Sequence, residues 1–194
     1  MIATFIDELE EQSDRLEMLV AGFFDAARVR RGRLVLRPEP VDLAVLAQRI
    51  LTRFAHAPER TAQHRLVLEA PEPVRGSWDP DRLDQALTNL VSNAVKYSPD
   101  GGEVCLRIHR LPNAHVEVKV RDQGLGIAPE EQAELFQPFE RAKTARRSVS
   151  GTGLGLYIAA QLIEQHGGTI SLHSEPGIGT TFRIQLPLAT PDES

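Results

Sequence analysis

Apolar residues recur every seven positions at the start of the chain, at Ile2, Leu9, Leu16 and Phe23. A second apolar row runs beside the first, and no proline interrupts the segment. This heptad spacing is typical of a long amphipathic helix with a coiled-coil-like seam. It predicts a helix over residues 1–31, which packs either on its own domain or in a helical bundle whose partner helices lie elsewhere.

The pattern changes to a mixture of helices and strands after the prolines that follow this segment. Asp42 and Asp79 each precede an apolar-periodic stretch and are good helix N-caps. The predicted helices cover residues 43–54, 81–97, 129–136 and 154–166. Strict alternation of apolar and polar residues predicts strands over residues 65–70, 103–110, 115–122, 168–175 and 180–187.

Composition and charge narrow the class of protein. The 194 residues carry 22 Lys and Arg against 27 Asp and Glu, a net charge of −5, and 41% are hydrophobic. These values are typical of a soluble globular chain and argue against disorder. The lack of a basic excess predicts no nucleic-acid partner, and no apolar run reaches the roughly 20 residues of a membrane helix. The lone Cys105 cannot form an internal disulfide, so we expect a cytoplasmic location.

One face of the predicted helix at residues 81–97 is polar. At 100° per residue, Asn89, Asn93 and Lys96 fall within one row opposite the apolar face. Such a row is also typical of an ordinary solvated helix face. Its functional interpretation is that the amide oxygens bind a hard cation such as Mg²⁺, while the ammonium of Lys96 meets a phosphate.

Two glycine-rich motifs follow at later turns. Asp122-Gln-Gly-Leu-Gly ends a predicted strand, where a carboxylate could accept a hydrogen bond from an exocyclic amine such as that of adenine. Gly151-Thr-Gly-Leu-Gly opens a predicted helix, whose free N–H groups could bind a polyphosphate. Between them, a basic stretch from Arg141 to Arg147 suggests either a solvated loop or a lid over phosphates. Each motif alone is weakly specific.

Taken together and in order, the motifs are far more specific. They are NLVSNAVKY (89–97), DQGLGI (122–127), LFQPFER (135–141), GTGLGLYIA (151–159) and HGGTISLHSEPGIGTTFRIQLP (166–187). This set resembles the nucleotide-binding catalytic domain of sensor histidine kinases of two-component systems, within the superfamily shared with gyrase, the ninety-kilodalton heat-shock chaperone and the mismatch-repair ATPase. The resemblance implies an α/β (α+β) two-layer sandwich, with a mixed β-sheet covered on one face by helices.

The resemblance also implies ATP and Mg²⁺ as ligands and gives roles to individual residues. Asn93 would be the main Mg²⁺ ligand with Asn89 nearby, and Lys96 and Arg141 would act with Asn93 at the phosphates. Asp122 would bind the adenine amine, supported by a threonine of the last strand pair, and two phenylalanines would anchor the lid. The other nucleotide-binding residues that it implies are Tyr97, Gly124, Gly126, Ile127, Phe136, Gly151, Thr152, Gly153, Leu154, Gly155, Leu156 and Thr181, with Phe139 as the second lid anchor.

The identity of the residue at position 89 distinguishes the hydrolytic members of the superfamily from the others. In gyrase-like and chaperone-like relatives, a glutamate four residues before the metal asparagine activates water for hydrolysis. Here that position is Asn89, and an amide is no general base. The resemblance therefore implies that the pocket presents the γ-phosphoryl of ATP to an external histidine instead of hydrolysing it. The alternatives are an anti-sigma-type regulatory serine kinase or binding module, and a hydrolytic ATPase.

None of the six histidines has the sequence context of the family's acceptor histidine, and none lies in the N-terminal segment. We therefore interpret residues 1–38 as the second dimerisation helix and its junction, residues 39–188 as the catalytic domain, and residues 189–194 as a tail. The expected partners are the acceptor-histidine helix of the parent protein, in the same chain or across a homodimer, and a response regulator. We expect no autophosphorylation by this chain alone.

Overall fold

A computed structural model describes residues 35–55, 61–142 and 152–188. The predicted N-terminal helix, the predicted tail and Gly151 lie outside these residues. The helices of the described part are α1 (Leu43–Phe54), α2 (Pro80–Lys96), α3 (Pro129–Gln132) and α4 (Gly155–Gln165). The strands are β1 (Glu39–Asp42), β2 (His64–Glu69), β3 (Arg75–Trp78), β4 (Gly102–Leu111), β5 (His115–Arg121), β6 (Thr169–Glu175) and β7 (Gly179–Pro187).

The two acidic N-caps expected from the sequence begin α1 and α2. Oδ1 of Asp42 accepts a hydrogen bond of 3.0 Å from the backbone N–H of Ala44. Oδ1 of Asp79 accepts one of 3.1 Å from the N–H of Arg82. Each carboxylate therefore satisfies an N–H group that has no partner within its helix.

Five strands form a mixed sheet in the order β2-β4-β5-β7-β6. β2 and β4 run parallel, whereas the other neighbours are antiparallel. The predicted hairpin of β4 and β5 is confirmed, with Ile108 opposite Val118. A second sheet of β1 and β3 was not predicted, because each of its strands has only four residues and they contain Pro40 and Gly76.

The core lies between one face of the large sheet and the helices. Alternate residues of β4, β5 and β7 are buried there, and α2 and α4 bury their apolar faces. The buried strand residues include Val104, Leu106, Ile108, Val116, Val118, Val120, Phe182, Ile184 and Leu186. The predicted two-layer sandwich with helices on one face is confirmed. None of the helices described in residues 35–55, 61–142 and 152–188 is long and apolar enough to cross a membrane.

The opposite face of the sheet carries charged residues around one buried carboxylate. Glu117 of β5 is fully buried, and its Oε1 lies 2.8 Å from Nζ of Lys119 and 3.1 Å from Nε2 of His109. Its Oε2 contacts the guanidinium of Arg183. Burial would raise the pKa of Glu117, but the hydrogen bonds and charges of Lys119 and Arg183 outweigh it, so the pKa is lowered.

Candidate functional site

Asp122 follows β5 directly and is 5% exposed. Its Oδ1 accepts hydrogen bonds from the backbone N–H groups of Gly124 at 2.9 Å and Thr180 at 3.0 Å. Burial raises the pKa of Asp122 to about 6, although these two hydrogen bonds oppose the shift. Within the described residues no hydrogen bond reaches Oδ2, so this oxygen is available to a donor from a ligand.

An apolar cluster gathers side chains from all five of the sequence motifs. Leu135 and Ala142 form its buried centre. The partly buried side chains packed against it belong to Tyr97, Ile127, Leu156 and Leu172. Tyr97, Ile127 and Leu156 were expected to bind the nucleotide, and they are about 30 residues apart in sequence. The structure therefore brings these three expected site residues to one place.

The two glycines after Asp122 are required because other segments of the chain lie where a Cβ would be. A Cβ at Gly124 would lie 2.7 Å from Oγ of Ser98 and would overlap the carbonyl oxygen of Tyr97. Gly126 has a φ of +65°, and a Cβ there would overlap the carbonyl of Glu175. The N–H of Leu125 also donates to the carbonyl oxygen of Tyr97 at 2.9 Å. Gly124 therefore allows the Asp122 loop to approach the end of α2, and Gly126 allows it to approach the end of β6, requirements that the sequence motif did not reveal.

Thr180, and not Thr181, lies next to Asp122. The N–H of Asp122 donates to the carbonyl oxygen of Thr180. The N–H of Thr180 in turn donates to Oδ1 of the Asp122 side chain. Thr181 pairs instead with Arg121 and His173 in the sheet. Because side chains alternate along a strand, Thr181 projects to the opposite face. Thr180 is therefore the residue of β7 that holds Asp122, and the expected role of Thr181 beside Asp122 at the adenine stays a prediction.

Ser174, which the sequence motifs did not single out, connects the walls of this site. Its Oγ accepts a hydrogen bond of 2.9 Å from the N–H of Ile127 and donates one of 2.9 Å to the carbonyl of Gly179. Oγ also lies 2.9 Å from Oγ1 of Thr180. The sequence did contain a sign of this role. Ser174 and Thr180 are polar residues at core-facing positions of strands that otherwise place apolar residues there.

The polar face of α2 borders the start of α4. Asn89, Asn93 and Lys96 are all partly exposed, as predicted, whereas the opposite face of α2 is buried. The Cβ position of Gly155 lies 3.7 Å from Oδ1 of Asn89. Within the described part of the chain, the side chains of Asn89 and Asn93 make no hydrogen bond, so their amide oxygens are available to a ligand.

The second glycine motif contacts the backbone of Phe139, which lies just before the basic stretch. Gly153 has a φ of +74°, and its carbonyl accepts a hydrogen bond of 3.0 Å from the N–H of Phe139. A Cβ at Gly153 would lie 2.7 to 2.8 Å from backbone atoms of Phe139. Phe139 is 59% exposed, so its contact with Gly153 is made by its backbone, and its expected role as a lid anchor stays a prediction.

α4 begins at Gly155 with no side chain accepting a hydrogen bond from its first turn. Oγ1 of Thr152 accepts one of 3.2 Å from the N–H of Leu154, just before the helix. The N-terminal N–H groups and the helix dipole can therefore act on an anion. Phe136, in the segment before the basic stretch, and Arg141, its first residue, are partly buried. Gly151 and the cations at Lys143, Arg146 and Arg147 lie outside the described residues.

The oxygen ligands that this face of α2 offers suit a metal ion that is also bound by phosphate. Asn89 and Asn93 offer neutral amide oxygens, and the described residues contain no cluster of His, Cys, Asp and Glu that could hold a metal ion. Mg²⁺ in proteins is usually bound by a few protein oxygens together with substrate phosphates. These residues fit a Mg²⁺ ion whose charge is balanced by a triphosphate.

Comparisons with known proteins agree with this fold. Residues 78–190 match the family model described as "Histidine kinase-, DNA gyrase B-, and HSP90-like ATPase". The chain belongs to this family. Among curated relatives, the sensor-like histidine kinase SenX3 of Mycobacterium tuberculosis is 35% identical over 187 residues, 96% of this chain and 45% of that protein. The chain thus spans less than half the length of this relative.

Within this family, the similar solved structures are histidine kinases. Full-length ShkA in complex with AMPPNP superposes with a TM-score of 0.83 at 29% identity, over 97% of this chain and 39% of that one. The nucleotide-free catalytic domain of the histidine kinase ThkA superposes with a TM-score of 0.68 at 28% identity, over 79% of this chain and 97% of that one. The fold is therefore that of the ATPase catalytic domain of sensor histidine kinases.

Proposed function

We propose that the described domain binds ATP with its adenine at Asp122. Support comes from one observation above the others: a buried carboxylate has one oxygen held by two backbone N–H groups while the other accepts no hydrogen bond from the described residues. A carboxylate acceptor suits the exocyclic amine of adenine and disfavours the carbonyl of guanine. The apolar cluster that includes Tyr97, Ile127 and Leu156 supplies surface for the base.

The triphosphate then lies between α2 and the start of α4. The uncapped N–H groups around Gly155 face an anion, and the adjacent Asn89 and Asn93 hold Mg²⁺ through their amide oxygens. Lys96 and Arg141 add positive charge near the terminal phosphates. When bound, Mg²⁺ would offset the charge that develops on the transferred phosphoryl group. Gly151 and Thr152 complete the expected phosphate loop.

We infer that the domain transfers the γ-phosphoryl of ATP to a histidine on a separate dimerisation helix, for relay to a response regulator. The amide of Asn89 cannot take a proton from water, so the site orients and stabilises the phosphoryl group without activating a hydrolytic water. The histidine kinase names of the relatives support this function over a serine kinase or a binding module. Residues 1–38 would belong to the dimerisation region and residues 189–194 to a tail.

Nucleotide binding to the full chain and to Asp122→Asn tests the adenine pocket. The substitution replaces Oδ2 or Oδ1 with an NH₂ group, so one acceptor becomes a donor. Titration calorimetry with ATP and GTP in Mg²⁺ should show a clear preference for ATP in the natural chain and its loss in Asp122→Asn. The matched control is Asp100→Asn, which changes an exposed carboxylate. An unchanged preference for ATP in Asp122→Asn would contradict the proposal.

Phosphotransfer is tested by adding a separate helical hairpin that carries an acceptor histidine. With labelled ATP, acid-labile label should appear on the hairpin and not on this chain alone. Rapid release of phosphate without the hairpin would favour a hydrolytic ATPase. Acid-stable label on serine of an added protein would favour the regulatory serine kinase.

A further inference from the structure

A buried hydrogen bond joins α2 and α4 at the ends of these helices that lie far from Asp122. The backbone N–H of Asp79 donates to Nε2 of His166 over 3.1 Å. Nδ1 of the same ring donates to the carbonyl oxygen of Leu162 over 2.7 Å. One ring nitrogen therefore accepts and the other donates, so His166 links the residue before α2 to the last turn of α4.

Each oxygen of the Asp79 carboxylate accepts a hydrogen bond from another backbone N–H group. Oδ1 accepts from the N–H of Arg82 in α2, and Oδ2 accepts from the N–H of Arg37 over 2.9 Å. Arg37 lies in the segment that enters the domain just before β1. Burial would raise the pKa of Asp79, but these two hydrogen bonds together with the nearby charge of Arg82 outweigh it, so the pKa is lowered. Asp79 thus contacts the entering segment, α2 and, through His166, α4.

The same two helices meet again at the site. Asn89 of α2 lies beside Gly155 of α4, with 3.7 Å between Oδ1 and the Cβ position of the glycine. About ten residues separate Asp79 from Asn89, which is about 15 Å of helix, and about eleven separate Gly155 from His166, about 16 Å. These matched lengths make α2 and α4 antiparallel partners that are held at one end and carry the expected phosphate contacts at the other.

We propose that Asp79 and His166 are positioning residues that fix the spacing between the Asn89 face of α2 and the start of α4. The hydrogen bond from Arg37 ties this spacing to the segment that enters the domain. A displacement of that segment shifts Asp79, and packed helices carry the shift to the phosphate end because they move as rigid bodies. This inference rests on the proposed nucleotide function.

His166→Asn and Asp79→Asn each remove one part of the arrangement. In His166→Asn, the side-chain amide can still donate to Leu162, but no acceptor reaches Asp79. In Asp79→Asn, the N-cap oxygen remains, because asparagine is an equally good N-cap, but an NH₂ group then faces the N–H of Arg37. The matched controls are His173→Ala, which alters a histidine 82% exposed on β6, and Arg37→Ala, which keeps the backbone N–H.

The first readout is the Kd of Mg-ATP, measured on the full chain at a temperature where circular dichroism shows every variant to be folded. We expect His166→Asn and Asp79→Asn to weaken binding about fivefold to tenfold, and both controls to bind like the natural chain. A merely structural role would lower Tm and leave Kd unchanged, and that result would overturn the inference. Absence of ATP binding by the natural chain would instead overturn the proposed function.

The second readout tests the connection to the entering segment. Hydrogen exchange of the amide of Arg37 should slow when Mg-ATP binds the natural chain, because coupling between two sites is reciprocal. In His166→Asn, saturating Mg-ATP should no longer slow it. Protection of Arg37 that is equal in both proteins, or absent in the natural chain at saturation, would overturn the coupling.

Discussion

Thr180 holds Asp122 in place through its backbone. Its N–H donates to Oδ1 of Asp122 at 3.0 Å, and its carbonyl accepts from the N–H of Asp122 at 2.9 Å. A residue of β7 therefore orients the carboxylate that follows β5, while Oδ2 accepts no hydrogen bond from the described residues. Because Oδ1 already accepts two N–H groups, we expect a proton that binds Asp122 to be carried by Oδ2.

The affinity for ATP should fall as the pH decreases through the pKa of Asp122, which is about 6. Above that pH the carboxylate is ionised and accepts from the adenine amine, while at about pH 5 only about a tenth of it is ionised. We expect up to about a tenfold weaker Kd at about pH 5 than at about pH 7.5. Calorimetry across this range is the measurement, and a flat profile in the natural chain would contradict the assignment.

Asp122→Asn provides the control for this pH dependence and a separate test of stability. The raised pKa means that the folded state binds more protons than the unfolded state between the ordinary value of 3.8 and about 6. Ionised Asp122 therefore lowers stability as the pH rises through this window. Asp122→Asn should show weak, pH-independent ATP binding together with an undiminished Tm at neutral pH, whereas a large loss of Tm would indicate a structural role.

Gly124→Ala should destabilise the domain by about 3 kcal/mol, because the new Cβ would overlap the backbone carbonyl of Tyr97, which cannot rotate away as a side chain can. The loop would have to leave the end of α2, so ATP binding should also be lost. The matched control is Gly177→Ala, whose Cβ would meet nothing within 4 Å. At a φ of +75° it should cost only about 1 kcal/mol. Denaturation followed by the fluorescence of the buried Trp78 distinguishes the two, and equal losses would contradict the prediction.

Glu117→Gln should lower the free energy of unfolding by about 1–3 kcal/mol at neutral pH, because Lys119, Arg183 and His109 would face one another without their shared carboxylate. Since the pKa of Glu117 is lowered in the folded state, its contribution is present above the ordinary value of 4.5 and is lost as the pH falls through the folded value.

The difference between Glu117→Gln and the natural chain should therefore shrink below about pH 4.5. Urea denaturation at several pH values measures it. Glu175→Gln is the control, because this carboxylate pairs with His173 at 3.5 Å on an exposed part of the sheet, and it should change stability by less than about 0.5 kcal/mol. A pH-independent difference for Glu117→Gln would show that charge is not the cause.

Asn93→Ala should weaken Mg-ATP binding by about tenfold and leave binding of ATP in excess EDTA nearly unchanged, because the amide acts through the metal. Asp81→Asn, an exposed change in the first turn of α2, should leave both affinities unaltered. The test is the ratio of the two Kd values in each protein. An equal loss of affinity with and without Mg²⁺ would show that Asn93 contacts the nucleotide in another way.

The sequence predicted what depends on neighbours along the chain. Helices α1, α2 and α4, the N-caps at Asp42 and Asp79, and the hairpin of β4 and β5 all follow from local periodicity and capping, although the helix predicted over residues 129–136 already ends at Gln132. The four-residue strands β1 and β3 did not, because their pairing joins residues more than about 30 positions apart and short strands carry little alternation. The order of the motifs along the chain also indicates the family by itself.

Only the tertiary structure decided which residue performs which role within the site. Thr180, and not Thr181, bonds Asp122 because the N–H and C=O groups of successive residues in β7 point alternately toward β5 and toward β6. The glycines at positions 124, 126 and 153 are necessary because distant backbone segments occupy their Cβ positions. Sequence alone determines the local elements through short-range propensity, whereas contacts between distant segments arise only when burial of the core brings those segments together.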